Sequence, residues 1–175
     1  MKNKSFLIKM VLTAILCVLA VIAKRFLSFN VWNLSIGVSF LPILVCAMIN
    51  GRVWGGICGA LADLIGAILF PFGPFFPGFT ITAFVSGFLF GFIPSEAGNK
   101  RFFIATIPTL IAEGALCTVL LNSLWISVLY KSPFLPIVFT RLPLAAVMFI
   151  VELASAFIIK RHLIKPIKKL LGKVA

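Results

Sequence analysis

Three of the chain's four acidic residues, Asp63, Glu113 and Glu152, lie inside long apolar runs. A carboxylate at membrane depth is expensive and is kept for a function or a partner. Two cations, Arg25 and Arg141, stand at or near the ends of such runs. Arginine is fork-shaped and permanently charged, which suits it to a carboxylate. Between these groups lies FPFGPFFPGFTIT, residues 70–82, with five phenylalanines and three prolines. Proline fixes φ and removes a backbone donor, so this stretch opens as a rigid, non-helical connection. Its phenylalanines form either a plug in lipid or an aromatic wall for a flat ligand.

The elements that must position these groups are membrane spans. Of the 175 residues 62% are hydrophobic and only 11% are charged; mean hydropathy is +1.19. A soluble core of this size needs no such apolar content. Six spans are expected, over about 6–24, 36–50, 52–70, 79–93, 102–123 and 136–160, in one integral membrane domain. Residues 25–35 read as a loop and 94–101 as a polar turn. Spans 2 and 4 are shorter than the roughly 20 residues of a full crossing, which points to packing around a cavity. Pro42, Pro108 and Pro143 predict kinks.

The net charge of +12 is distributed as in a membrane protein rather than a nucleic-acid binder. Only Lys24, Arg25, Lys131 and Arg141 of the 16 Lys and Arg fall on the side opposite the termini. The positive-inside rule therefore places both termini in the cytoplasm and the aromatic stretch outside. The N-terminal run resembles a signal peptide, but Lys24-Arg25 follows where small residues would favour cleavage.

Several chemistries are excluded. No GxxxxGK[ST], HExxH or serine triad occurs, so neither ATP hydrolysis nor another enzymatic activity is expected. The lone His162 and four dispersed cysteines, none in CxxC spacing, give no metal or cofactor site. Transport by this chain needs an ion gradient or a separate motor. No internal repeat is visible, which weighs against inverted-repeat transporters.

Spacing refines the candidates. Gly51, Gly55, Gly59 and Asp63 recur every four residues, placing Asp63 on a closely packed helix face. Its alternative role is a structural hydrogen bond to a neighbouring helix. Glu113 and Asn122 are nine residues apart and point to opposite sides of a straight helix. Asn122 is assigned to the outer cavity and Glu113 is left open. Glu152 falls in the inner half, where a cation or a partner would meet it. Thr13, Cys17 and Ala20 form a small-residue face able to accept a helix of this chain or of another.

The outer groups are cationic (Arg25, Arg141), aromatic (Phe72, Phe75, Phe76, Phe79, Trp32, Trp125) and polar (Thr80, Thr82, Asn122), with Asp63 as the acid. Phenylalanine stacks on a flat ring and an arginine forks onto a carboxylate. An aspartate accepts two parallel hydrogen bonds from an amino-pyrimidine edge. Folates fit; riboflavin, thiamin or an aromatic acid fits in part.

At this point the chain resembles the S components of energy-coupling factor (ECF) transporters. The resemblance rests on six short spans, a cationic cytoplasmic end, a small-residue first helix and the absence of an ATPase. FPFGPFFPGFTITAFVSGFLFG, LNSLW and an arginine early in span 6 are similar to the folate-specific type. The resemblance implies an all-α bundle of six transmembrane helices in a bacterial plasma membrane. It implies capture of folate or a related pterin outside the cell. Delivery then requires a transmembrane coupling protein and two cytoplasmic ATPases. It also implies a lid, at whose start Arg25 and the substrate-binding candidate Phe26 stand; that makes Arg25 a candidate for the ligand carboxylates, with Arg141 second. Docking on the coupling protein falls to Thr13, Cys17 and Ala20. An S component for another aromatic vitamin, or an ion-coupled transporter, is the alternative.

Overall fold

Apolar segments fold as helices in lipid because nothing around them satisfies the backbone. The computed structural model describes residues 2–31, 34–71, 73–164, 166, 167 and 169. Among these, six helices form an all-α bundle. They are α1 (Lys2–Phe26), α2 (Phe40–Asn50), α3 (Arg52–Leu69), α4 (Pro77–Phe90), α5 (Asn99–Tyr130) and α6 (Phe134–Ile164). Four contain segments long and apolar enough to cross a membrane: Phe6–Phe26, Arg52–Leu69, Asn99–Tyr130 and Phe134–Ile164. The outside of the bundle is as apolar as its core. Phe139 and Ile150 are each 67% exposed, as expected of a lipid-facing surface.

The remaining two helices are short. α2 has 11 residues and α4 has 14. They rise about 16 and 21 Å, less than the roughly 30 Å hydrocarbon core. A non-helical segment precedes each of them. One is an antiparallel hairpin, β1 (Ser28–Val31) with β2 (Leu34–Gly37). Sequence reasoning treated this region as a loop. The alternation of Phe29, Val31, Leu34 and Ile36 with polar neighbours was the missed signal. The second is the 70–76 connection, irregular at Pro71 and at residues 73–76 until Pro77 opens α4 at a position where its missing donor costs nothing.

Pro42 is the third residue of α2, within the first turn. No intrahelical bond is lost there, so the kink expected at Pro42 has no cause. Pro108 and Pro143 lie inside α5 and α6. Gly51 links α2 to α3 with φ +96°, a conformation in which a side chain would be strained.

The bundle closes through two polar or close-packed seams. On α1 and α2, Asn50 Nδ2 donates to the Lys9 carbonyl (3.1 Å) and to Thr13 Oγ1 (3.0 Å). Thr13 Oγ1 also lies 3.5 Å from Cys46 Sγ. On α3 and α4, the four-residue small stripe meets its counterpart antiparallel. A methyl group on Gly55 would lie 2.5 Å from the Gly87 carbonyl oxygen, and one on Gly59 would lie 2.3 Å from that of Ala83. The next step of the stripe, Asp63, meets Thr80. The helices approach because neither side has a Cβ in the way.

Candidate functional site

A cavity of about 440 Å³ opens between these helices beneath the 70–76 connection. Its mouth is lined by Lys24, Arg25, Pro71, Gly73, Pro74, Phe75 and Tyr130. Phe76, Phe79, Asp63 and Asn122 form its walls, and Ser86, Glu113, Cys117 and Arg141 lie deeper along α4, α5 and α6.

The aromatic wall is braced from behind. Phe76 packs against Phe79 and Trp125, with ring centroids 6.1 and 5.6 Å apart. Trp125 Nε1 donates to Thr82 Oγ1 (2.9 Å), and the Thr82 hydroxyl donates to the Gly78 carbonyl (3.1 Å). A methyl group on Gly78 would fall 2.5 Å from the Trp125 ring, so only glycine admits this contact. Trp125 thus supports the wall from α5, one layer behind the cavity lining.

Asp63 is the best-anchored charge. Its Oδ1 receives Lys24 Nζ at 2.5 Å and its Oδ2 receives Thr80 Oγ1 at 2.9 Å. α1, α3 and α4 are therefore joined at one carboxylate, which is 7% exposed and lines the cavity. Thr80 acts through Asp63 and is not itself part of the lining. Both oxygens of the proposed ring-reading acid are already engaged, which favours its structural alternative. Asp63→Asn should lower stability by about 1–3 kcal/mol, the scale of hydrogen bonds to a charged group. Thermal unfolding in detergent measures this. Lys24→Met should cost at least as much, because it leaves the buried Asp63 carboxylate without its cation, whereas the 34% exposed Lys24 side chain can turn to water. The double variant should lose less than the sum of the singles; strict additivity would mean that the two do not act as a pair.

Arg25 lies against the backbone of α3: a methyl group on Gly66 would be 3.1 Å from both its Nε and its Nη2. Arg141 reaches α5, its Nη1 donating to the Thr118 carbonyl at 3.2 Å. Both arginines line the same cavity.

Glu113 and Asn122 also line that cavity together, contrary to the expectation that they point apart. The reason is local winding. Residues Gly114–Leu121 are π-helical. Nine residues of α-helix make about two and a half turns, whereas an i→i+5 winding makes about two. Asn122 is thereby brought round to the face of Glu113. Glu113 is 6% exposed, and its Oε1 accepts a hydrogen bond from Ser86 Oγ at 2.9 Å.

Other candidates are placed elsewhere. Phe26 is 68% exposed and packs edge-on against Phe70, outside the lining. Phe72 and Trp32 fall outside the described residues. Thr13, Cys17 and Ala20 are all at most 3% exposed. Their small face accepts this chain's own helices, with Thr13 on α2 and Ala20 at the cavity, so it offers no outer docking surface. Glu152 is buried on α6 and is not in the lining. Sequence reasoning missed Lys24 as the partner of Asp63 and Ser86 as the partner of Glu113. Lys24 was signalled as one of the four misplaced cations; a serine within an apolar span carried no such signal.

A lipid-facing six-helix bundle with a cavity walled by aromatic rings and arginines defines a membrane protein that binds a small molecule. Residues 8–160 match the family of ECF transporter substrate-specific components. The chain belongs to this family: it is the substrate-specific subunit of an ECF vitamin-uptake transporter, a multi-pass bacterial membrane protein and not an enzyme. It is 32% identical over 143 residues to the folate transporter FolT of Clostridium novyi (strain NT), covering 80% of each chain. It is 26% identical over 152 residues to the folate transporter FolT of Leuconostoc mesenteroides, covering 84% of this chain and 81% of the relative. Its structure is similar to a crystal structure of FolT bound with folic acid. The TM-score is 0.79 at 27% identity, over 87% of this chain and 92% of the other.

Proposed function

We propose that this subunit captures folate, or a closely related pterin, from outside the cell. The observation that carries the reading is the composition of the cavity. A rigid phenylalanine wall and two arginines line one space, and the similarity to folate transporters adds support. Phe75, Phe76 and Phe79 hold the ligand's flat rings and exclude water. Arg25, at the mouth, takes the carboxylates by a charge-assisted fork, with Arg141 as the second cation. Asn122 supplies a hydrogen bond from the wall. Asp63 holds Lys24 and Thr80 in place beside the ligand. The positive-inside pattern supports cytoplasmic termini and an outward-facing mouth. The chain has no motor motif, so release into the cell requires association with a transmembrane coupling protein and two ATPase subunits.

Mass spectrometry of the small molecule that co-purifies with the protein, followed by calorimetric titration with folic acid, tests this. A folate in the purified protein and saturable folic acid binding are expected. A co-purifying flavin or thiamin, with no folic acid binding, would replace the reading with that of another vitamin.

A further inference from the structure

The deep end of the cavity contains a group without an obvious structural use. Glu113 is buried at mid-bundle, and among the described residues its hydrogen bond is the one from Ser86 to Oε1. Among the described residues no cation lies within salt-bridge distance of Glu113, in contrast to Asp63, which has Lys24. A buried carboxylate in that position costs several kcal/mol unless something else donates to it. Its second oxygen, Oε2, remains available on a residue that lines the cavity. Asp63, the other acid of the lining, has each oxygen engaged.

Depth separates the two acids. Thr80, which binds Asp63, and Ser86, which binds Glu113, are six residues apart on α4. They are therefore about 9 Å apart along the helix axis. Lys24 and Arg25 stand at the mouth of the cavity; further in it carries the carboxylate of Glu113 as well as Arg141, whose Nη1 is held by the Thr118 carbonyl. A ligand with carboxylates at one end and paired N–H donors at the other matches that order.

We propose that Glu113, oriented by Ser86, is the specificity-determining acceptor for the ligand's amino-pyrimidine edge. The inference rests on the folate reading. A 2-amino-4-oxopyrimidine ring presents its ring N–H and its amino N–H side by side. A carboxylate receives both, while the Ser86 hydroxyl holds Oε1 in the plane of the ring. Replacing the amino group by an oxo group turns one donor into an acceptor facing the carboxylate, and the buried pairing is lost.

The test compares folic acid with its 2-deamino-2-oxo analogue by calorimetry, on wild-type protein, Glu113→Gln and Ser86→Ala. Wild-type protein should favour folic acid by about tenfold to a hundredfold, the range of hydrogen bonds to a charged group. Glu113→Gln should reverse the preference, because an amide offers one acceptor and one donor and so suits the ring N–H and oxo group of the analogue. Ser86→Ala should narrow the ratio without reversing it. If wild-type protein binds folic acid but does not distinguish the analogue, or if Glu113→Gln keeps the wild-type ratio, the inference falls and the folate reading stands. If wild-type protein binds no folic acid, both fall. Should Glu113→Gln fail to fold, the wild-type ratio and Ser86→Ala decide alone.

Discussion

Arg25→Ala should weaken folic acid binding by about thirtyfold to a hundredfold, the equivalent of about 2–3 kcal/mol for a charge-assisted hydrogen bond, while leaving the affinity for a pterin without the glutamate tail nearly unchanged. The asymmetry follows from placement. Arg25 lies at the mouth, where α1 ends, with its guanidinium against the Gly66 backbone of α3. A ring held by the phenylalanine wall does not require that cation; carboxylates at the mouth do. Arg25 is also close enough to Asp63 to feel its charge, so the alanine variant alters more than one interaction. Gly66→Ala offers an independent approach. Its methyl group would arrive 3.1 Å from the guanidinium and displace it while leaving the charge in the chain. The two variants should shift folic acid affinity in the same direction and spare the pterin. Equal loss of folic acid and pterin would remove Arg25 from the carboxylate role and make it a support for the bundle.

The parts of this site that were legible in the sequence are those fixed by local rules. Pro71 and Pro74, three residues apart, interrupt the helix between α3 and α4, and glycines every four residues put Asp63 on the α3 face that meets α4. The parts that were not legible depend on winding or on a distant partner. An α-helical wheel separates Glu113 from Asn122, and only the π-helical run between them reunites the two. The sequence GALCTVLL contains no proline, glycine pair or charge that announces such a run. The small side chains of Thr13, Cys17 and Ala20 mark a face for close contact, but a small-residue stripe does not say whether its partner is in the same chain. Asp63 presented the converse problem. Depth marked it as significant, whereas its partners Lys24 and Thr80 stand 39 and 17 residues away.

The α3–α4 seam carries the other large expected effect. Gly87→Ala should abolish the folded, monodisperse protein or lower its unfolding temperature steeply, while Gly114→Ala should leave it folded and slightly more stable. A methyl group on Gly87 would stand 2.2 Å from the Gly55 carbonyl oxygen and 2.7 Å from its carbon. Both are backbone atoms, so no side chain can rotate away, and α3 and α4 must separate. Overpacking of this kind costs about 1–3 kcal/mol where neighbours can adjust, and more where they cannot. Separation would also spread to Asp63 and Thr80, two turns along the same seam, and so to the cavity wall. Gly114 has nothing within 4 Å of its would-be Cβ and keeps an ordinary helical conformation. There the substitution changes only backbone entropy, in favour of the helix. The two variants are identical in composition, so size-exclusion profiles and thermal unfolding isolate the packing term. Similar behaviour of the two would mean that the seam does not hold the bundle together. Gly87→Ala should also lose ligand binding wherever it remains folded, because the helices that it separates carry both Asp63 and Ser86.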